Sequence, residues 1–148
     1  QGASFFAYDA APKRMGDLPD RAKRAGVSIE VLTQDPVGGD ADFDCVILDV
    51  PCSGTGAWRR NPEGKWRLTA TDLADVIATQ QQILTRASQL VSDEGHLIYM
   101  TCSVLRDENQ DQIAPFLEQN SGWVMHSERN IEPLSNMDGF FVAVLSRG

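Results

Sequence analysis

Cysteine and histidine are scarce in this sequence, which contains three cysteines and two histidines among 148 residues. The number of cysteines is odd, and no two of them have the C-x-x-C spacing of a zinc site or a redox pair. Neither histidine has a cysteine or a second histidine at metal-ligand spacing. This scarcity excludes a disulfide-stabilised secreted scaffold, argues against a metal centre, and favours a reducing compartment such as the cytoplasm.

Long apolar runs and an excess of basic residues are also missing. No apolar run approaches the roughly 20 residues of a membrane span, so we expect no membrane partner. Thirteen basic residues stand against twenty-one acidic ones, and the net charge is −8. Because an autonomous nucleic-acid-binding domain is usually basic, any role on nucleic acid must depend on a local basic patch or on another part of the protein.

The remaining composition is that of one ordinary globular domain over residues 1–148, with 42% hydrophobic and 23% charged residues. Short apolar runs alternate with helical patterns, and this alternation predicts an α/β fold with a mostly parallel, doubly wound sheet. Strands are predicted at residues 5–8, 29–32, 43–48, 96–100, 123–126 and 140–145, and helices at 12–26, 69–93 and 106–120.

The longest helix carries the clearest local signals. Thr69 and Asp72 resemble a capping box at its start, and an apolar stripe of helical period follows. Gln80 interrupts that apolar face, and Asp93-Glu94-Gly95 is predicted to end the helix. In the next helix, Pro115 predicts a kink because proline lacks the backbone N–H and clashes one turn back.

Polar residues follow four of the predicted strands, namely Asp9, Asp35, Asp49 and Cys102. Ligands of such sheets bind beyond the carboxyl ends of the strands. A single acid in this position is often only a helix cap, so the prediction of a site depends on all four together. We expect them to lie on one edge of the sheet.

The segment Asp49-Val50-Pro51-Cys52-Ser53-Gly54-Thr55-Gly56 presents a thiol on a polar, glycine-containing loop. Cys52 is either a small buried side chain in a tight turn or a reactive thiol, and the sequence leaves both interpretations open. For Cys45, which lies inside a predicted strand, burial is the expectation, since free cysteine is among the most buried residue types.

Two enzyme motifs fail on spacing at this loop. A tyrosine-phosphatase loop requires arginine six residues after the cysteine, where this chain has Trp58. A phosphate-binding P-loop requires Ser or Thr after Gly-Lys, and Gly64-Lys65 is followed by Trp66. Covalent catalysis on a pyrimidine ring accommodates both Cys52 and Cys102, although residue types alone do not decide which thiol attacks.

A short basic segment lies in this otherwise acidic chain. Its cations are Arg59, Arg60, Lys65 and Arg67, with the single anion Glu63 between them. Trp58 and Trp66 are interleaved with these charges. The segment is either solvated surface or a local contact for nucleic-acid phosphates, and both interpretations stay open.

Several motifs together resemble the Sun/Fmu family of RNA cytosine-5 methyltransferases, over a span from Tyr8 to Leu145. They are Asp-Val-Pro-Cys-Ser-Gly-Thr-Gly at 49–56, Arg-Arg-Asn-Pro at 59–62, Lys65-Trp66, Tyr-Met-Thr-Cys-Ser-Val at 99–104 and Asp-Gly-Phe-Phe at 138–141. The resemblance implies a Rossmann-like, S-adenosylmethionine-dependent methyltransferase fold. It also implies S-adenosylmethionine as cofactor and ribosomal or transfer RNA as partner.

The resemblance implies a role for each matching residue. Asp9 corresponds to the acid that binds the cofactor ribose, Asp35 to the acid near the adenine, and Asp49 to the acid between the cofactor and the target base. Cys102 corresponds to the nucleophile, and Cys52 to the second cysteine, which helps to release the product. In addition, Arg59, Arg60 and Lys65 correspond to basic residues beside the active-site loop, where RNA binds.

The family's glycine-rich cofactor loop and first strand have no match in the chain. We therefore expect part of a catalytic domain, without the family's RNA-binding extension, that binds the cofactor weakly or not at all. The strand at Phe5 is then expected to pair with the strand at Phe43, or an open edge to pair with a second copy. The rival hypothesis is a catalytically silent Rossmann-like module that binds RNA or a protein.

Overall fold

The computed structural model describes residues 2–39, 42–134 and 136–148. The chain divides into two compact units, Gln1–Ala41 and Asp42–Gly148. Its strands are β1 (Phe5–Ala7), β2 (Ile29–Val31), β3 (Phe43–Asp49), β4 (Val91–Thr101), β5 (Trp123–Ile131) and β6 (Phe140–Arg147). Its helices are α1 (Leu18–Ala25), α2 (Gly64–Arg67), α3 (Ala70–Ala87) and α4 (Gln110–Gln119).

The first unit is one β-α-β segment. β1 and β2 pair in parallel, with Phe5 opposite Ile29 and Ala7 opposite Val31. A 3-10 turn begins at Pro12, where a helix start was predicted, and α1 follows it. The predicted stop is confirmed, because Gly26 has a left-handed φ of 73° and its amide donates to carbonyls of the last turn.

The second unit contains a four-stranded sheet in the order β3-β4-β6-β5. β3 and β4 are parallel, whereas β6 is antiparallel to both β4 and β5. Among the described strands of this sheet, only β6 therefore runs opposite to the others, and the prediction of a mostly parallel sheet is confirmed. β1 pairs with β2 and β3 with β4, so the structure does not show the expected pairing of the Phe5 strand with the Phe43 strand.

Apolar side chains from α3, α4 and one face of the sheet form the core of the second unit. The cluster includes Leu84, Ala87, Ile113, Phe116, Leu97, Tyr99, Phe141, Ala143 and Leu145. On β3, Leu48 is buried with this cluster, while Ile47 is 61% exposed. Successive side chains of a strand point to opposite faces, so only one face of β3 meets the helices.

The burial predicted for Cys45 is wrong, because this thiol is exposed. Cys45 alternates with Val46 and so lies on the face of β3 that carries Ile47. An uninterrupted apolar run predicts burial on both faces of a strand, but among the described residues only the face of β3 that carries Leu48 packs against the core.

The capping box at the start of α3 is confirmed. Thr69 Oγ1 accepts from the Asp72 amide at 3.1 Å, and Asp72 Oδ2 accepts from the Thr69 amide at 3.1 Å. The end of α3 differs from the prediction, since the helix stops at Ala87 and β4 begins at Val91. Val91 continues the helical stripe, but it pairs with Phe43 of β3, and this tertiary contact outweighs the local pattern.

The last elements agree with the predictions in type and differ in length. α4 contains Pro115 as predicted, and a 3-10 turn at Arg106–Glu108 precedes it. β5 and β6 extend to Ile131 and Arg147, beyond the predicted ends. Across the part of the chain that the structure describes, no helix combines the length and apolarity needed to cross a membrane.

Candidate active site

Two of the three cysteines meet at the carboxyl ends of β3 and β4. Because these strands are parallel neighbours, with Asp49 opposite Met100, the loops that follow them leave the sheet side by side. The Sγ atoms of Cys52 and Cys102 lie 3.3 Å apart, and both side chains are half-buried. The structure therefore brings together the two thiols that the sequence placed in one site, with Asp49 at the end of β3 beside them.

Backbone hydrogen bonds join the loops that carry the thiols to a third loop. The Gly56 amide donates to the Cys102 carbonyl at 2.9 Å, and the Gly139 amide donates to the Gly56 carbonyl at 2.9 Å. A Cβ at Gly56 would overlap the Gly139 carbonyl and lie 2.9 Å from the Cys102 carbonyl oxygen. Only glycine at position 56 permits the three loops to approach so closely.

A fully buried carboxyl group, Glu108, lies beneath both cysteine loops. Its Oε1 accepts from the Ser53 amide at 2.7 Å and from Gln80 Nε2 at 3.0 Å, and its Oε2 accepts from the hydroxyls of Ser53 and Ser103. Gln80 Nε2 also donates to the Pro51 carbonyl at 2.8 Å. The sequence analysis missed Glu108. The one available signal was Gln80, a polar residue on an otherwise apolar helix face.

The two thiols have different electrostatic environments. The Cys52 thiol donates a hydrogen bond to the Cys102 sulfur, which lowers the pKa of Cys102 to about 7, while burial and the nearby Asp49 carboxylate act against this shift. The same contact, with burial, raises the pKa of Cys52 well above its usual value. Cys102 is therefore the thiol that ionises near neutral pH, and Cys52 keeps its proton.

Asp9 and Asp35 belong to the first unit, where they follow β1 and β2. Because β1 and β2 are parallel neighbours, both acids lie beyond the same end of that small sheet. Asp9 Oδ1 accepts from the Ala11 amide at 2.7 Å, and Asp35 Oδ1 accepts from the Val37 amide at 2.9 Å. Each acid thus orders its own loop as an Asx turn.

The predicted basic residues are held in different ways. Arg60 Nε donates to Asp138 Oδ2 at 2.6 Å, and Arg59 lies 3.4 Å from Oδ1 of the same carboxylate, which is 7% exposed. The Arg60 hydrogen bond lowers the pKa of Asp138. Lys65 is exposed and its Nζ lies 4.7 Å from the ring centroid of Trp66, which is 81% exposed.

Asp138 links these arginines to the cysteine loops, because the next residue, Gly139, is bonded to Gly56. The described residues contain no group of three or more His, Cys, Asp or Glu side chains that could hold a metal ion.

Comparisons with known proteins identify the family of this chain. A family model described as 16S rRNA methyltransferase RsmB/F matches residues 1–146. Ribosomal RNA small subunit methyltransferase B of Klebsiella pneumoniae is 35% identical over 156 residues, which cover 97% of this chain and 36% of the relative. The chain thus spans little more than a third of the length of that relative.

Two crystal structures extend the agreement to the fold. The protein PH0851 superposes with a TM-score of 0.90 at 29% identity, covering 98% of this chain and 37% of the other. NSun6 from Pyrococcus horikoshii, determined with SFG, superposes with a TM-score of 0.84 at 20% identity, covering 98% and 41%. The predicted Rossmann-like fold of S-adenosylmethionine-dependent methyltransferases is confirmed, as is the resemblance to the Sun/Fmu family. The chain belongs to the RsmB/F family of 16S rRNA methyltransferases.

Proposed function

We propose that this chain carries the cysteine site of an RNA cytosine-5 methyltransferase that acts on ribosomal or transfer RNA. The observation that carries the proposal is the 3.3 Å contact between Cys52 and Cys102 at the ends of adjacent parallel strands. The rival hypothesis, a catalytically silent binding module, is not favoured, since such a module has no need of a thiol with a lowered pKa beside an acid.

Cys102 is the proposed nucleophile, because its pKa near 7 supplies thiolate at neutral pH. Its sulfur adds to carbon 6 of cytosine, and the electron pair of the C5–C6 double bond makes carbon 5 nucleophilic enough to accept a methyl group. A base then removes the carbon-5 proton, the C6–S bond breaks, and its electron pair returns to the Cys102 sulfur. The target base must be unstacked to admit attack on its face.

Cys52 and Asp49 assist Cys102 in this proposal. Cys52 keeps its proton and lies against the Cys102 sulfur, so it donates a hydrogen bond to the thiolate that leaves at product release. Asp49 ends β3 beside the thiols, and its carboxylate accepts a hydrogen bond from the Watson–Crick edge of the base as charge develops on the ring.

S-adenosylmethionine, when bound, would supply the methyl group, and the electron pair of its broken sulfur–methyl bond would stay on its own sulfur. Asp9 and Asp35 of the first unit lie beyond the same ends of two neighbouring parallel strands. Their carboxylates can accept hydrogen bonds from the hydroxyl and amino groups of this cofactor. We assign Asp9 to the ribose hydroxyls and Asp35 to the adenine.

The basic segment is the proposed contact for RNA phosphates. Asp138 orients Arg59 and Arg60 but leaves both partly exposed, and Lys65 is exposed beside Trp66. Replacing all three cations by alanine should weaken binding similarly across RNA sequences and flatten its salt dependence, because fewer counterions are released. Filter-binding titrations at several salt concentrations measure both effects. An unchanged salt slope would identify these residues as solvated surface.

The central test is covalent trapping on RNA that contains 5-fluorocytosine. A base cannot remove fluorine from carbon 5 as it removes a proton, because fluorine would have to leave without its bonding electron pair, so the C5–C6 double bond does not reform. The adduct with the nucleophilic cysteine therefore persists and is resolved by denaturing electrophoresis. We expect trapping by the full-length protein to disappear in Cys102→Ala and to survive in Cys45→Ala, the matched control at an exposed thiol outside the pair. Trapping that survives Cys102→Ala and disappears in Cys52→Ala would reverse the assignment.

A further inference from the structure

One buried carboxyl group contacts the neighbours of both cysteines. Glu108 is 0% exposed, and it binds Ser53, which follows Cys52, and Ser103, which follows Cys102. We propose that Glu108 is a positioning residue that keeps the two cysteine loops side by side, so that their thiols stay in contact. This inference rests on the proposed function, since it assigns Glu108 a role in the same site.

The contacts of Glu108 are distributed over both loops. Ser53 is fixed at two points, because its amide donates to Oε1 at 2.7 Å and its hydroxyl donates to Oε2. The hydroxyl of Ser103 donates to the same Oε2. Ser53 and Ser103, which lie 50 positions apart in the sequence, therefore donate to the same Glu108 oxygen atom. Loss of this acceptor would remove the atom that binds both hydroxyls and leave the Ser103 hydroxyl with Thr55 Oγ1 at 2.9 Å and Ser53 Oγ at 3.4 Å.

Glu108 is itself held from two sides. Gln80 of α3 donates to Oε1 at 3.0 Å, and the Tyr99 hydroxyl of β4 donates to the Glu108 carbonyl at 2.8 Å. The adjacent Asn109 donates from Nδ2 to the Ser103 carbonyl at 3.0 Å. The helix residue Gln80 thus fixes the carboxyl group and the strand residue Tyr99 fixes the main chain of Glu108 before any substrate binds, which is the arrangement that a precise site requires.

The chemistry of this cluster calls for a carboxyl group of this length. Four donor groups converge on its two oxygens, and burial makes an unpaired donor costly. Aspartate is one methylene shorter and cannot reach both loops. Glutamine has the same length as glutamate. Its NH2 group can take the place of Oε2 and donate to the hydroxyls of Ser53 and Ser103, since a hydroxyl can also accept a hydrogen bond.

The ionisation of Cys102 reports on this positioning. The groups that act on Cys102 are Cys52, Asp49, Glu108 and, across the site, Arg60. The negative charge of Glu108 raises the pKa of Cys102, whereas the Cys52 contact lowers it. If Glu108 acts only through its charge, then its removal lowers the pKa of Cys102. If Glu108 acts by positioning, then removal of its contacts raises that pKa, because the contact with Cys52 is lost.

The experiment is the pH dependence of Cys102 alkylation by iodoacetamide in the full-length protein, resolved by peptide mass spectrometry. In the native protein we expect a midpoint of about 7. Glu108→Ala should move the midpoint up, toward the ordinary thiol value of about 8.5. Glu108→Gln, which keeps the reach without the charge, should leave the midpoint at or below the native one.

Ser103→Ala provides a second variant that is independent of the folding of Glu108→Ala. It removes the hydrogen bond from the Ser103 hydroxyl to Glu108 Oε2 while the carboxyl group stays. Positioning therefore predicts a higher midpoint, whereas a pure charge effect predicts an unchanged midpoint. The controls are Asp107→Asn, which removes an exposed neighbouring charge, and Ile113→Val, which perturbs the core of α4; neither should move the midpoint.

A midpoint that falls in both Glu108→Ala and Glu108→Gln, or that is unchanged in Ser103→Ala, would overturn the proposal. The assay requires neither RNA nor cofactor. Its failure is therefore distinguishable from failure of the proposed methyltransferase function, which the 5-fluorocytosine adduct tests separately.

Discussion

Substitution of Gly56 by alanine should separate the three loops of the site. The new Cβ would overlap the Gly139 carbonyl and lie 2.9 Å from the Cys102 carbonyl oxygen, and both are backbone atoms that cannot rotate away. Relief of the overlap breaks the hydrogen bonds that Gly56 makes to Cys102 and Gly139. Two such bonds contribute about 0.5–1.5 kcal/mol each, and overpacking costs typically about 1–3 kcal/mol. We therefore expect Gly56→Ala to lower the free energy of unfolding by roughly 2–6 kcal/mol.

Two other glycines serve as matched controls in denaturant unfolding. Gly54 has a left-handed φ of 68° with open space around it, so Gly54→Ala should cost about 1–2 kcal/mol through the backbone alone. Gly122 has open space and no positive φ, and Gly122→Ala should stay within about 0.5 kcal/mol of the native value. A cost for Gly56→Ala no larger than that for Gly54→Ala would refute the close approach of the three loops.

Two further predictions concern charge. Cys52→Ala removes the hydrogen bond that lowers the pKa of Cys102 to about 7, so that pKa should rise. If it returns to about 8.5, the thiolate fraction at neutral pH should fall about 15-fold, and alkylation rates measure this fall. An unchanged rate would contradict the contact. Asp138→Asn removes a carboxylate whose pKa is lowered by Arg60. That carboxylate stabilises the fold at pH values above its unfolded pKa of about 3.9, and the stabilisation is lost as the pH falls through the lower folded pKa. The difference in unfolding free energy between the native protein and the variant should therefore shrink in acid.

Features with a local signature could be predicted from the sequence. The capping box of α3 and the stop at Gly26 each depend on residues within one or two turns, and both are confirmed. The position of Cys52 beside Cys102 required only that two parallel strands be neighbours, because the loops at their ends then meet. Sequence patterns are therefore sufficient for the frame of this site.

Features that depend on tertiary contacts could not be predicted in this way. The exposure of Cys45 follows from its place on the face of β3 opposite the core, and the early start of β4 follows from the pairing of Val91 with Phe43. Glu108 lies in an acidic stretch before α4 that has no motif of its own. Its role depends on Ser53 and Ser103, which only the fold brings within reach of one carboxyl group.

The interruption of the apolar face of α3 has a physical explanation in this cluster. A buried polar group costs free energy unless it is paired, so Gln80 and Glu108 are each unfavourable alone in the core. Their pairing offsets part of this cost, because Gln80 Nε2 donates to both Glu108 Oε1 and the Pro51 carbonyl, whereas Gln80 Oε1 is buried without a partner among the described residues. An apolar residue at position 80 would complete the stripe but leave the Pro51 carbonyl without that donor, at about 1–3 kcal/mol for an unpaired group, while Glu108 Oε1 would keep only the Ser53 amide. The residue that looks like a defect in the helix pattern is therefore required by the loop that presents Cys52.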